Sequence, residues 1–286
     1  MQPKGKLVII GGNVDKGTLS DPTYSQITNL NFFELGILKR ILSESPKKEK
    51  STIEIVTTAS VIPEQVGEEY ILAFSQLNAA DVHIMNIQAR ETANSQRIVD
   101  RTEKADIIWF TGGNQLRLTS ILGGTAFIET IQRRYIEDKS LLIAGTSAGA
   151  AASSDNMIYQ GSSKESLLKG SVQITGGFGF IKNVIVDTHF VKRGRIGRLI
   201  QACASNPSML GIGLGEDTGL LITKGTKMEA IGSGLVILVD GKQIKNTNIT
   251  EIPIGSPISI ENVLVHVMSL YDTYDLDTDE MLINVE

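Results

Sequence analysis

The sequence predicts an α/β fold: a mostly parallel sheet sandwiched by helices, with additional β-strands toward the C-terminus. Three observations predict it. Apolar runs of strand length alternate with helical patterns through the first two thirds of the chain, as parallel sheets covered on both faces require. Small-residue turns follow several of those runs directly, at Gly11-Gly12, Thr111-Gly112-Gly113 and Gly145–Gly149. From Gly211 onward the pattern changes to short β-type runs separated by glycine turns, which suits antiparallel strands that extend or flank the sheet.

The elements follow in chain order. Residues 6–10 form a strand and 32–42 have helical spacing. Residues 53–58 are β-rich, and 64–77 are helical with Tyr70, Ala73, Phe74 and Leu77 on one apolar face. A strand at 82–87, a helix at 91–101 and a strand at 107–110 come next. A helix at 127–137 leads into the strand that starts at Leu141. Residues 185–187 end another strand, and 192–204 form a basic helix. Three later β-type runs lie at 220–223, 235–239 and 263–268. The acidic stretch 271–280 reads as a solvated surface segment. No Pro- or Ser-rich linker interrupts the 286 residues, so the expectation is a single domain, 1–286, with 217–286 as its β-rich extension.

Composition narrows the function classes. Apolar residues make up 41% and charged residues 21%, as in soluble globular proteins. The net charge of −5 argues against nucleic acid or an anionic membrane as partner. The one cysteine, Cys203, permits no intrachain disulfide and suits a reducing compartment. The first apolar run, Leu7–Ile10, is too short for a signal peptide, and no stretch approaches a membrane span. The expectation is a cytoplasmic protein.

The most informative stretch is 141–152, LLIAGTSAGAAA. An apolar strand run passes at once into Gly145-Thr146-Ser147-Ala148-Gly149, the G-x-S-x-G layout of a nucleophile elbow. Small neighbours let strand and helix close around a strained serine whose hydroxyl is pushed outward. Ser147 is the candidate nucleophile. Chance occurrence in a Gly- and Ala-rich turn is the competing reading, and the strand directly before it favours the elbow.

A serine hydroxyl needs an adjacent base, usually histidine, and that base needs an orienting acceptor. The chain has three histidines. His83 and His266 lie inside strand runs and read as packed residues. His189 follows a strand end in Asp187-Thr188-His189-Phe190, ahead of Arg193, Arg195 and Arg198, and is the candidate base. Glu216, after the glycine-rich run 211–215, is the first candidate for the orienting carboxylate; Asp187 and Asp217 compete with it. The order Ser147, His189, Glu216 differs from the nucleophile–acid–histidine order of α/β-hydrolases, which disfavours an esterase or lipase.

Backbone N–H groups of Gly113 and Ala148 are candidates for an oxyanion hole. Arginine pairs with carboxylates through planar double hydrogen bonds, so three arginines after the base suggest a substrate rich in carboxylates or backbone carbonyls, with a solvated helix face as the plain alternative, most of all for Arg198. Gly11-Gly12 lacks the spacing of a dinucleotide fingerprint, and a nucleotide site is discounted.

These motifs, taken in order, resemble one known family. Thr111-Gly112-Gly113-Asn114-Gln115, the elbow at Ser147, Asp187-Thr188-His189-Phe190 with its three arginines, and Gly213-Leu214-Gly215-Glu216 together look like cyanophycinase, a serine peptidase related to dipeptidase E. The resemblance spans roughly residues 6–223 and includes Thr58-Ala59-Ser60 with Pro63. It implies a class I glutamine-amidotransferase-like, flavodoxin-like α/β fold with serine in place of the usual cysteine. It implies release of β-Asp-Arg dipeptides from cyanophycin, a poly-aspartate carrying arginine on each β-carboxyl, by a dimer that uses no metal or cofactor. By residue matching it implies Ser147 as nucleophile, His189 as base and Glu216 as its orienter. Gln115, Asp187, Thr188, Arg193, Arg195 and Arg198 fall on substrate-contacting positions. Two positions depart from the family pattern: Thr188 stands where glutamine is usual, and Val14 where glutamate is usual. A dipeptidase E-like hydrolase of small aspartyl peptides and a non-catalytic binding protein on the same fold are the alternatives.

Overall fold

A computed structural model describes residues 2–17 and 31–285. The first half alternates strand and helix. It runs β1 (Lys6–Ile10), α1 (Ile37–Glu44), β2 (Ile53–Val56), α2 (Pro63–Gln76), β3 (Val82–Met85), α3 (Arg90–Ala93), α4 (Gln96–Lys104), β4 (Ile107–Phe110), α5 (Gln115–Leu122), α6 (Ala126–Glu137), β5 (Leu142–Thr146) and α7 (Ala148–Ser153). The second half is strand-rich. It holds β6 (Ser154–Gly161), β7 (Val172–Gly176), β8 (Ile181–Asp187), α8 (Ile196–Ser205), β9 (Leu210–Leu214), β10 (Thr218–Thr223), β11 (Lys227–Gly232) and β12 (Val236–Asp240). The short strands β13 (Asn246–Thr247), β14 (Ile260–Glu261), β15 (Leu264–Met268), β16 (Thr273–Asp275) and β17 (Glu280–Leu282) complete it.

The strands make two large sheets. One has the order β17-β16-β11-β10-β1-β5-β4-β2-β3, and the other β15-β12-β9-β8-β6-β7. The five strands β1, β5, β4, β2 and β3 are parallel, and β10 joins β1 antiparallel. In the second sheet β6, β8 and β9 are parallel, flanked by antiparallel β7 and β12. The fold is therefore α/β with extra C-terminal strands, as expected. Those strands complete a second sheet as well as extending the first.

Strand alternation explains the layering. Successive side chains of a strand point to opposite faces. Leu7 and Ile9 of β1 enter a core shared with Val184 and Val186 of β8 and Ile212 of β9, so this core spans both sheets. Val8 and Ile10 face the other way, into a core with Leu38 and Ile41 of α1 and Phe74 of α2. Ile185 of β8 turns outward onto Leu199 and Cys203 of α8.

Several local expectations change. The helix expected at 91–101 is two short helices, because Asn94 and Ser95 return side-chain hydrogen bonds to the Arg90 and Thr92 carbonyls and compete with the helical ladder. Helix α1 starts at Ile37, after Phe32 has turned into the core beside it. Helix α8 starts at Ile196 instead of Lys192, because Gly194 adopts φ +58° and breaks the turn. The stretch 271–280 is not a solvated tail: it holds the β16–β17 hairpin, with Tyr274 and Asp272 buried. His83 is not packed but exposed at the sheet edge, 2.8 Å from Asp81.

Candidate active site

The end of β1 organises the site. Three successive carbonyls there accept backbone N–H groups from three separate loops: Ile10 from Ser147, Gly11 from His189 and Gly12 from Asp217, each at 2.8 Å. Ser147 follows β5 of the first sheet, whereas His189 and Glu216 follow β8 and β9 of the second. The candidate site thus lies where the two sheets meet, beyond the carboxyl ends of their parallel strands.

Backbone strain concentrates there. Ser147 has φ 50° and ψ −106°, immediately before α7. Asn13, His189 and Asp217 also have φ between 44° and 51°, a region non-glycine residues rarely occupy. The elbow glycines are sterically required. A Cβ on Gly145 would lie 2.6 Å from Gly149 carbonyl atoms, and one on Gly149 would lie 2.6 Å from the Phe110 carbonyl oxygen.

Ser147 Oγ lies 3.1 Å from His189 Nε2, and His189 Nδ1 lies 3.0 Å from Glu216 Oε1. A carboxylate only accepts, so Glu216 holds the proton on Nδ1 and leaves Nε2 free to accept from the serine hydroxyl. Burial lowers the His189 pKa below 6.5; Glu216 pushes it up, and Arg193 and Arg195 push it down. The ring is therefore neutral, and able to accept a proton, at neutral pH. Burial raises the Glu216 pKa, but hydrogen bonds from His189, Asn13 and Lys192 more than offset it and hold the carboxyl below 4.5.

The other candidates separate into two groups. Asp187 is buried and faces away from the imidazole: its Oδ1 accepts from Thr188 N–H (2.9 Å), Arg195 Nη1 (3.1 Å) and Arg198 Nη2 (3.2 Å). Arg198 is buried in this cluster and also donates to the Gly161 carbonyl at 3.0 Å. Arg195 donates to the Thr188 carbonyl at 2.7 Å, and Thr188 itself is buried. Asp187 and Arg198 are thus paired with each other in the interior. Arg193 is exposed and makes no ion pair among the described residues. Gln115, at the start of α5, donates from Nε2 to the Ile158 carbonyl at 3.0 Å. Val14 is buried in the helix-side core.

Gly112 lies against Ser147: a Cβ there would sit 3.4 Å from Ser147 Cβ. Gly113 has φ +142°, and a Cβ on it would meet the Ala59 carbonyl oxygen at 2.1 Å. The N–H groups of Gly113 and Ala148 have no acceptor among the described residues.

Sequence reasoning missed Gly12. It has φ +118°, and a Cβ there would lie 2.3–2.9 Å from three atoms of the His189 ring. The imidazole is seated on this bare backbone. The signal in the sequence is the Gly-Gly pair that ends the first strand, which suggests a nucleotide loop before it suggests a seat for a ring. Asn13 and Lys192, which reach Glu216, carry no sequence signal.

Asp217 is the third acid candidate, and its carboxylate accepts from Asp15 N–H (3.0 Å) and Ser233 Oγ (2.9 Å), not from His189. Burial pushes its pKa from 3.8 to about 6. Below 3.8 the group is protonated in folded and unfolded chains alike. Between 3.8 and about 6 the unfolded chain ionises first, so stability falls as pH rises, and above about 6 the full penalty is present. That penalty is at most about 3 kcal/mol. Asp217→Asn keeps an acceptor for Asp15 N–H and removes the charge. Thermal denaturation from pH 4 to pH 7.5 should show the variant gaining stability relative to the parent as pH rises; a constant difference would contradict the shifted titration.

The profile of Peptidase family S51 matches residues 25–230. A cyanophycinase from Nostoc sp. is 37% identical over 227 residues, covering 79% of this chain and 76% of that protein. A cyanophycinase from Geminocystis herdmanii is 35% identical over 233 residues, covering 82% and 85%. The crystal structure of a peptidase from an acI-B1 Actinobacterium superposes with a TM-score of 0.60 at 20% identity, covering 91% of this chain and 96% of that one. That last likeness concerns the fold.

Proposed function

Because the chain belongs to Peptidase family S51 and is a serine-type peptidase, we propose that it degrades cyanophycin as an exopeptidase that releases β-Asp-Arg dipeptides. The observation that carries this reading is the hydrogen-bonded chain Ser147–His189–Glu216 on a strained elbow. Ser147 Oγ attacks the scissile carbonyl while its proton passes to His189 Nε2. Glu216 Oε1 stabilises the imidazolium that forms. The N–H groups of Gly113 and Ala148 receive the oxyanion, each worth about 3–4 kcal/mol in the transition state. His189 then gives the proton to the leaving amine. Water, deprotonated by the same nitrogen, releases the acyl group from Ser147.

Substrate recognition follows from which charges remain available. Arg198 and Asp187 are mutually engaged, so they shape the pocket instead of meeting substrate directly. Arg193 is the exposed guanidinium beside the base, suited to a free substrate carboxylate. Arg195 and Gln115, which donate to the Thr188 and Ile158 carbonyls, are the further candidates for substrate contact. Arg193→Ala should lower kcat/KM by about 10–150-fold, the loss of one charge-assisted pair of about 1.5–3 kcal/mol. Steady-state kinetics on a soluble β-Asp-Arg-containing peptide checks this, and an unchanged kcat/KM would remove Arg193 from the substrate site.

Thr188 favours a second reading on the same chemistry. Threonine offers a hydroxyl where an amide would contact substrate from two sides, so the pocket also admits small aspartyl dipeptides. Incubation with cyanophycin, isoaspartyl dipeptides and α-aspartyl dipeptides, with mass-spectrometric product analysis, separates the two. β-Asp-Arg from cyanophycin supports the first. Turnover of dipeptides with cyanophycin untouched supports the second.

We read the chain as one folding unit, since the central core draws on both sheets. Among the described residues no helix is long and apolar enough to cross a membrane. A homodimer in the cytoplasm is part of this proposal; light scattering after gel filtration gives the mass that tests the dimer.

A further inference from the structure

Glu216 orients His189 with only one of its oxygens. Its Oε2 also receives Lys192 Nζ at 3.2 Å, and the Asn13 side chain lies close enough to the same carboxyl to help hold its pKa down. These partners come from different loops. Asn13 follows the imidazole seat at Gly12 and has φ 44°. Lys192 lies three residues beyond His189 on the loop that leads to α8. A glutamate side chain has several rotatable bonds and sits here on a loop between Gly215 and the strained Asp217. Without partners on its outer side it would sample rotamers that break the Nδ1 contact.

We propose that Asn13 and Lys192 are positioning residues of the hydrolytic site, which clamp the Glu216 carboxylate against the edge of the His189 ring. The inference rests on the hydrolytic reading above and goes beyond it, because it assigns roles to two residues outside the nucleophile, base and acid. The loops agree with the clamp. Residues 12–15 are tied to 216–217 by Asp217 N–H to the Gly12 carbonyl and by Asp15 N–H to Asp217 Oδ1. Asn13 is thereby held beside Glu216. Asparagine tolerates this backbone region better than other non-glycine residues, which explains its fitness for the position.

The clamp also has an electrostatic consequence. Among the described residues, the charged groups around the imidazole are Glu216 from the β9 end and Lys192, Arg193 and Arg195 from its own loop. Asp187 behind it is neutralised by Arg195 and Arg198. Asp217 accepts from Asp15 N–H, and the Asp15 charge adds to the negative potential there. Lys192 partly cancels the Glu216 charge that His189 experiences. Removing Lys192 therefore favours the imidazolium, and removing Asn13 loosens the carboxylate without changing charge.

The test uses the full chain. Its three histidines allow the imidazole resonances to be assigned by single substitutions and titrated by NMR. Lys192→Met should raise the His189 midpoint by about 0.2–0.7 of a pH unit, with the acid limb of kcat/KM moving in step, and Lys192→Arg should restore the parent value. Asn13→Gly keeps the backbone conformation and should lower kcat about 3–30-fold with KM unchanged. A His189 midpoint unmoved in Lys192→Met, together with parental kcat in Asn13→Gly, would overturn the clamp. The NMR titration needs no turnover, so it still reports on the clamp if Ser147→Ala stays active and the hydrolytic reading fails.

Discussion

Ser147→Ala should abolish turnover, with kcat falling by about 10⁴–10⁶-fold while the fold and the KM for any residual activity persist. On the proposed mechanism this removes the acyl-enzyme route altogether, and the remaining donors and binding groups supply only a small residual acceleration. Ser147 is half-buried at a φ of 50°, so alanine there keeps the same backbone strain and little packing is lost. Stopped and continuous assays on cyanophycin and on aspartyl dipeptides measure the effect. Activity within tenfold of the parent would mean that another group performs the attack.

Gly12→Ala should give the next largest loss, although Gly12 carries no chemistry. The added Cβ would fall 2.3 Å from His189 Cε1 and 2.6 Å from Nε2. Either the ring or the β1 end must move. Displacement of a catalytic group by about 1 Å costs on the order of 10²-fold, and here the moved atom is the proposed acceptor of the serine proton. The φ of +118° adds strain for any residue with a Cβ. The expected result is a fall in kcat of at least about 10²-fold with a folded, cooperatively melting protein. Circular dichroism separates this from unfolding. Unchanged kcat would show that the imidazole does not depend on this seat.

Much of the architecture is legible in the sequence because parallel α/β units write themselves in apolar runs of regular length. Lys6–Ile10 and Ile107–Phe110 stand out at their observed bounds, since turn residues mark both ends of each. The second sheet is less legible. The β6–β7 hairpin contains polar and exposed positions such as Gln160 and Gln173, so its alternation is weak. The hairpin at 271–280 is rich in acidic residues, and only its pairing to β11 shows why Tyr274 is inside. At the site, Ser147 is legible because an elbow needs small residues at fixed offsets. The pairing of Glu216, rather than Asp187 or Asp217, with His189 depends on how β8 and β9 meet β1, which no local pattern encodes. The engagement of Arg198 with Asp187 is hidden for the same reason. Arginines at offsets of four, six and nine from His189 look alike in sequence, yet one is exposed and one is buried.

The central claim is that Ser147, activated by His189, forms the acyl-enzyme. A phosphonate ester that mimics the β-Asp-Arg unit tests it most directly, because it captures the attacking atom in a stable bond. Intact-mass and peptide-mapping spectrometry should show one adduct, on Ser147, formed in step with the loss of hydrolysis and absent in His189→Ala. An adduct on any other residue, or undiminished hydrolysis once Ser147 is fully modified, would contradict the account.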